Sequence, residues 1–157
     1  ALIDYPNLVI LQTLSKAWGL AALRVGMAFA SAGIIDIMNK IKPPYNINEP
    51  SQELASQALD EVEQVNEMIK IIVSERNHLA GELKKISIVQ TIYPSDANFL
   101  LVKMDEARKV YVYLLEKGIV VRDTSTTPGC TSCLRITVGT PKENEVLLNA
   151  LHNFTVK

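Results

Sequence analysis

Thr13-Leu14-Ser15-Lys16-Ala17-Trp18-Gly19-Leu20-Ala21-Ala22-Leu23-Arg24-Val25-Gly26 is the stretch on which the reading of this chain depends. Its centre, residues 14–22, lies between two apolar runs rich in branched residues, 7–13 and 23–30. Both runs read as buried strands, with Gly26 allowing close backbone approach in the second. A lysine directly after a buried strand differs from an ordinary surface lysine. Partial burial lowers an amine's pKa and makes it a nucleophile towards an aldehyde. Ser15 sets a hydroxyl beside Lys16, and Arg24, at the opening of the second run, offers a planar fork for a phosphate. Small residues between them let the chain turn tightly. An amine for an aldehyde, with serine and arginine for a phosphate, is the set that pyridoxal phosphate requires. A solvated lysine and a surface arginine beside a tight turn form the plain alternative.

Outward from this stretch, residues 32–40 read as a short helix. Pro43, Pro44 and Pro50 make residues 42–50 an extended connector, because proline fixes φ, removes donors and restricts the residue before it. Ser51 is the expected N-cap of the next helix, with Glu53 in its first turn. Leu54, Ala58, Val62, Val65, Ile69, Ile72, Leu79 and Leu83 recur at helical spacing. The helix so predicted has about thirty residues and spans roughly 45 Å, the length of a spine between two lobes. Residues 87–93 and 98–103 read as strands joined by a turn at Pro94-Ser95-Asp96. Asp105 is expected to cap a helix that runs to Lys117 and ends at Gly118. Strands at 119–122 and 134–138 flank a polar loop containing Pro128 and Gly129. Thr140-Pro141-Lys142-Glu143 is a capping box that opens a final helix. The order is two strands, a spine helix and a small β-β-α-β-β-α lobe, an α/β chain.

Composition narrows the function classes. The chain has 157 residues with 16 basic and 17 acidic side chains and a net charge of -1. That balance argues against a nucleic-acid partner, which calls for a basic face. No apolar run approaches the ~20 residues of a membrane span. The start, Ala1-Leu2-Ile3-Asp4-Tyr5-Pro6, lacks an initiator Met and the pattern of a signal peptide, so the polypeptide is expected to begin mid-protein. Cys130 and Cys133 have C-x-x-C spacing, but no second pair exists, and His78 and His152 lie far off in sequence. A redox or metal role for the pair is the weaker reading, and no metal is expected.

Residues 13–26 strongly resemble the cofactor-lysine signature of fold-type I aminotransferases, and are most similar to the histidinol-phosphate aminotransferase branch, whose usual form is TLSKAFGLAGLRIG. Ala22 and Trp18 depart from that form; neither touches the Lys, Ser or Arg. Pro44-Tyr45-Asn46-Ile47-Asn48 is similar to the family's PYN connector, and Ser95-Asp96-Ala97-Asn98-Phe99 to its S-x-A-N-F strand entry. Gly118-Ile119-Val120-Val121-Arg122 and Leu134-Arg135-Ile136-Thr137-Val138-Gly139-Thr140 match, in order, its G-I-x-V-R and L-R-I-T-V-G-T pair. The resemblance covers the whole chain.

The resemblance implies the C-terminal part of a pyridoxal-phosphate-dependent transferase fold. Residues 1–48 would end a large cofactor domain, 49–85 would form the connecting helix, and 86–157 a small α+β domain. It implies that Lys16 carries pyridoxal 5′-phosphate covalently and then moves a proton between the substrate Cα and the cofactor. Ser15 and Arg24 match the positions that hold the cofactor phosphate. Arg135 matches the arginine for the anionic end of the substrate, and Arg122 the one associated in this branch with the substrate phosphate. A rim ion pair with a carboxylate such as Asp123 is the alternative for these arginines. Tyr45 either reaches the substrate cleft or packs the connector. The implied reaction moves an amino group between histidinol phosphate and 2-oxoglutarate, in histidine biosynthesis, by a cytoplasmic homodimer with small-molecule substrates only. A threonine-phosphate decarboxylase, an aromatic aminotransferase and a non-catalytic interaction domain stand as alternatives. The family's groups on the cofactor ring lie N-terminal to its lysine, so this stretch alone is expected to be inactive.

Overall fold

Leu100, Val102 and Met104 are buried, while Phe99, Leu101 and Lys103 between them are half-buried. This alternation gives the segment one core face and one open face. The computed structural model describes residues 1–154. The chain divides into two compact units, Ala1–Glu67 and a second beginning at Met68. No helix among the described residues is long and apolar enough to cross a membrane.

In the first unit, β1 (Ile10–Thr13) pairs antiparallel with β2 (Gly26–Phe29), Ile10 opposite Phe29 and Thr13 opposite Gly26. A Cβ on Gly26 would meet the Gln12 carbonyl oxygen at 3.2 Å, the close approach expected there. The strands are shorter than the apolar runs, and the burial expected of the first is not found. All four β1 residues are exposed, Leu11 at 74%, because the described residues place too few layers on the hairpin to cover both faces. Leu23 belongs to a short 3-10 turn, Ala21–Leu23, rather than to a strand.

Helix α1 (Ala32–Ile41) follows, then α2 (Glu49–Asp60) and α3 (Val62–Leu83). Ser51 is not the cap of α2. The Asn48 side chain accepts the Ser51 N–H at 2.9 Å, and Pro50 sits in the first turn, where it leaves no donor unmet. The expected single spine helix is broken at Glu61 (φ -96, ψ 28). Asp60, Glu61 and Glu63 crowd like charge into one turn. The break places Glu63 in the first turn of α3, where the helix dipole favours an acid.

The second unit is a four-stranded antiparallel sheet in the order β3-β4-β6-β5, from Val89–Ile92, Phe99–Met104, Cys133–Thr137 and Arg122–Asp123 respectively. Helices α4 (Ala107–Glu116) and α5 (Pro141–His152) contribute to its core. Leu100 opposes Ile136 and Val102 opposes Leu134. These four pack with Leu79, Leu83, Val110, Leu114, Leu147 and Leu151 in one cluster. Each fully buried aliphatic side chain contributes about 1.5–3 kcal/mol relative to exposure.

Polar ties fix the register of this unit. The buried Asn144 amide donates to Glu75 Oε2 at 2.8 Å and to the Gly139 carbonyl at 3.1 Å, and its oxygen accepts the Gly139 N–H at 3.0 Å. Ser95 Oγ donates to the Phe99 carbonyl at 2.6 Å and accepts the Ala97 N–H at 3.2 Å, closing the turn before β4. Gly118 (φ 75) ends α4 as expected: its N–H donates to Leu115 O at 3.0 Å and that of Ile119 to Leu114 O at 2.9 Å. That last bond consumes Ile119, so β5 starts only at Arg122. Asp105 does not cap α4. Its carboxylate accepts from Gln90, and the N-cap is Glu106 at φ 51.

The capping box of α5 is present. Glu143 N donates to Thr140 Oγ1 at 3.3 Å, and Thr140 N donates to Glu143 Oε2 at 2.7 Å. The Thr140 N–H, and then its hydroxyl, hold the Glu143 carboxyl below its ordinary pKa of 4.5. A depressed carboxyl contributes stability that is present above the unfolded pKa and lost as pH falls through the folded one. Loss of the Thr140 cap in Thr140→Ala should cost about 1 kcal/mol at neutral pH. The gap to the native chain should narrow below pH 4.5 as Glu143 protonates. Urea unfolding at pH 7 and on the acid side of that value measures both; a gap that widens on acidification refutes the assignment.

Candidate cofactor and anion sites

The turn between β1 and β2 is built on Leu14, which is 1% exposed and accepts the Leu20 N–H at 2.9 Å while donating its own to Val25 O at 3.3 Å. With this apolar foot fixed, the polar neighbours face outward. Ser15 is half-buried, its N–H held by Thr13 Oγ1 at 3.1 Å. Lys16 and Arg24 are exposed. The Thr13–Gly26 pair closes the base of the turn, so Ser15 and Arg24, each two residues beyond it, rise from the two sides of one loop.

The partial burial expected of Lys16 is not found, because the turn has cover on one side only. Among the described residues its amine meets no hydrogen-bond or ion-pair partner. Arg24 does not open β2; it closes the 3-10 turn in the left-handed region at φ 57, with Nη1 donating to Ala21 O at 3.3 Å. A left-handed backbone costs an L-residue other than glycine roughly 1–2 kcal/mol, and such strain marks functional sites more often than ordinary loops. Sequence alone showed no sign of it. An unengaged amine, a serine hydroxyl and a guanidinium held only by its own turn fit an aldehyde that carries a phosphate. Tyr45 also has positive φ (56) and is 97% exposed, so it does not pack the connector.

Arg122 and Arg135 lie in the second unit and are brought together by register: they are direct partners across the β5–β6 ladder. Residues directly opposite in an antiparallel pair share a face, and like charges there are destabilising. Leu101 opposes Arg135 on its other side, so both arginines are on the open face of the sheet. The Arg135 guanidinium lies over the Phe99 ring, 5.1 Å from its centroid. Its Nε is buried without a hydrogen-bond partner among the described residues. Sequence reasoning passed over Phe99 as a partner, because the pairing of distant strands decides which residue Arg135 meets.

The ion pair weighed for Arg122 does not form with Asp123. That carboxylate receives the Ser125 N–H at 2.9 Å and meets Arg108 Nη1 at 3.2 Å. The Ser125 backbone bond foremost, with Arg108 adding to it, lowers the Asp123 pKa. The two arginines are thus left facing each other. A groove lined by Val120, Val121, Thr137, Val138, Lys142 and Val146 runs nearby, but neither arginine lines it.

Comparisons with known proteins agree with this chemistry. A family model described as aminotransferase class I and II matches residues 1–151. The chain is 53% identical over 148 residues to a histidinol-phosphate aminotransferase of Flavobacterium psychrophilum, a match covering 94% of this chain and 42% of that relative. The structure is similar to that of the histidinol-phosphate aminotransferase from Clostridium acetobutylicum, with TM-score 0.87 and 26% identity over 96% of this chain and 46% of that one. It is also similar to the histidinol-phosphate aminotransferase from Sinorhizobium meliloti solved with pyridoxal-5′-phosphate, with TM-score 0.79 and 27% identity over 95% and 41%. The chain spans less than half the length of each of these proteins. With a match that runs from the lysine turn through the last helix, the chain belongs to the aminotransferase class I and II family.

Proposed function

We propose that this chain carries the cofactor lysine and the anion-binding arginines of an enzyme that moves an amino group between histidinol phosphate and a 2-oxo acid, foremost 2-oxoglutarate. The observation that carries the proposal is the opposition of Arg122 and Arg135 across β5 and β6. Two cations on one sheet face, neither neutralised by a carboxylate among the described residues, call for an anionic ligand, and both substrates are anions. The similarity to histidinol-phosphate aminotransferases supports the choice of amine.

Lys16 supplies the amine that holds pyridoxal 5′-phosphate and afterwards accepts and returns the proton at the substrate Cα. Ser15 and Arg24 hold the cofactor phosphate through charge-assisted hydrogen bonds. Bound there, the cofactor supplies an aldehyde and a ring that withdraws electrons from the reacting carbon. Arg135 grips the carboxylate of the 2-oxo acid and Arg122 the phosphate of the amine. Tyr45, exposed on its connector, is assigned to substrate binding on the strength of the family resemblance alone. In this reading residues 1–48 belong to a large cofactor domain, 49–85 to the connecting helical stretch and 86–157 to the C-terminal domain. The enzyme acts as a cytoplasmic homodimer, on the strength of the family resemblance.

Borohydride reduction of the full-length gene product with pyridoxal phosphate, followed by peptide mapping, should place the pyridoxyl label on Lys16. Lys16→Ala should abolish transamination with little change in the unfolding midpoint. A label on another lysine sinks the proposal. Turnover should be fastest with histidinol phosphate in a panel that includes threonine phosphate and aromatic amino acids; a better amine overturns the substrate assignment, and no turnover of any favours a non-catalytic domain. Arg122→Ala should raise the KM for histidinol phosphate at least tenfold, the loss of about 1.4 kcal/mol expected of a charge-assisted bond.

Arg24 separates function from strain. Arg24→Gly relieves the left-handed backbone and deletes the phosphate grip together. Stability should hold or rise by up to about 1 kcal/mol, while the cofactor should wash out on dialysis. Lost stability with the cofactor retained would make Arg24 a structural residue instead.

A further inference from the structure

Cys130 and Cys133 are both free, and the function proposed above uses neither. The structure closes them into one turn: the Cys133 N–H donates to the Cys130 carbonyl at 3.0 Å, and Ser132, in the third position, takes φ 59. A turn closed by such a bond keeps its first and fourth Cα atoms within about 7 Å. Disulfides take Cα separations of roughly 4.4–6.8 Å. The Cys133 thiol also points back over the turn, donating to the Thr131 carbonyl at 3.6 Å. Exposure differs between the two: Cys130 is half-buried and Cys133 fully buried. An accessible thiol backed by a hidden one in a preformed turn is the arrangement of an attacking and a resolving cysteine.

We propose that Cys130 and Cys133 form a reversible thiol–disulfide pair that exchanges with small-molecule disulfides and fastens the loop joining β5 to β6. The Cys130 thiolate attacks one sulfur of the small disulfide, forming a mixed disulfide and releasing one thiolate. The Cys133 thiolate then attacks the Cys130 sulfur, forming the internal bond and expelling the second thiolate. Two protein thiols are oxidised, one small disulfide is reduced to two thiols, and the two protons end on the leaving groups.

The order of the steps follows from the surroundings. Cys133 is held back by burial first, which raises its pKa, and next by the neighbouring Cys130. Capping Cys130 as a mixed disulfide removes that second cause. Lys103, directly opposite Cys133 on β4, favours the thiolate. The bond would act on a defined element. The Thr124 N–H and hydroxyl already bond the Cys133 carbonyl at 3.1 and 2.9 Å, so the loop leaves β5 and returns to the same residue. Closing the turn covalently sets the entry to β6 two residues before Arg135. This holds whichever amine the enzyme uses.

The test is a titration of the full-length protein in glutathione redox buffers, quenched with acid, alkylated and mapped by mass. The result expected is loss of both free thiols together, as one Cys130–Cys133 disulfide per chain that dithiothreitol reverses. Cys133→Ser should stop at a glutathione adduct on Cys130, and Cys130→Ser should leave Cys133 unmodified until denaturant is added. Accumulation of the adduct in the native protein without internal closure overturns the proposal. So does alkylation of Cys130 only after unfolding. The titration of the native protein needs no substitution, so a variant that fails to fold leaves the result intact.

Discussion

Strand β6 lies between β4 and β5, and its alternation decides what both faces of the sheet do. Leu134 and Ile136 are drawn into the core opposite Val102 and Leu100. A strand repeats every two residues, so Arg135 between them must stand on the other face. Slipping β6 by one residue would bury a guanidinium among Leu79, Leu114 and Leu151 and expose two aliphatic side chains, a change far larger than any surface contact could offset. The face proposed to bind anions is therefore a consequence of the core. The same constraint brings Arg122 opposite Arg135: β5 pairs with β6 over two residues only, and one of those two pairs is the arginine pair.

Such an arrangement is unfavourable by itself. Opposed like charges cost a few tenths to about 1 kcal/mol in a sheet, and a buried donor without an acceptor costs about 1–3 kcal/mol more. Phe99 offsets part of this through its ring face beneath Arg135. Asp123, the nearest carboxylate in sequence, is kept away by Ser125 and Arg108. The sheet thus holds its cations apart from internal neutralisation, as a site for an anionic ligand must. An arginine already paired to a carboxylate would have to give up that partner before binding.

What was legible in the sequence is what depends on neighbours a few residues away. The Thr140 capping box and the Gly118 helix end are local hydrogen-bond patterns, and both form as read. The spine break at Glu61, the cap at Asn48 and the late start of β5 are equally local. They turn, however, on which of two adjacent groups takes a given N–H or on how one turn accommodates like charge, and small energies decide that. The exposure of β1 depends on neighbours far away in sequence, since an apolar run reads as buried whether or not a partner layer is present. The candidate site divides in the same way. Ser15, Lys16 and Arg24 were legible as chemistry from residue type and spacing, while the left-handed backbone of Arg24 was not. Arg122 and Arg135 were legible as strand residues, but their opposition depends on a register set by distant strands.

The two units also differ in how firmly they hold their candidate site residues. The arginines stand on a sheet backed by a continuous cluster of buried aliphatic side chains. In the first unit only Leu14, Ser51, Ala55 and Val65 are buried. A two-stranded hairpin is marginal in water by itself, and the pairing of Thr13 with Gly26 is what closes the lysine turn. Within the described residues local stability follows local burial, so in this stretch of chain the arginine face is the more firmly backed element and the lysine turn the less. On the roles proposed for them, an anion grip works by fixed geometry, whereas a lysine that holds a cofactor and then carries a proton must move between two positions. The strain at Arg24 lies in the same place: a backbone kept in the left-handed region by its own turn would gain a further restraint if its guanidinium closed on a phosphate, as proposed. Cofactor binding would then order the very loop that carries the reacting amine.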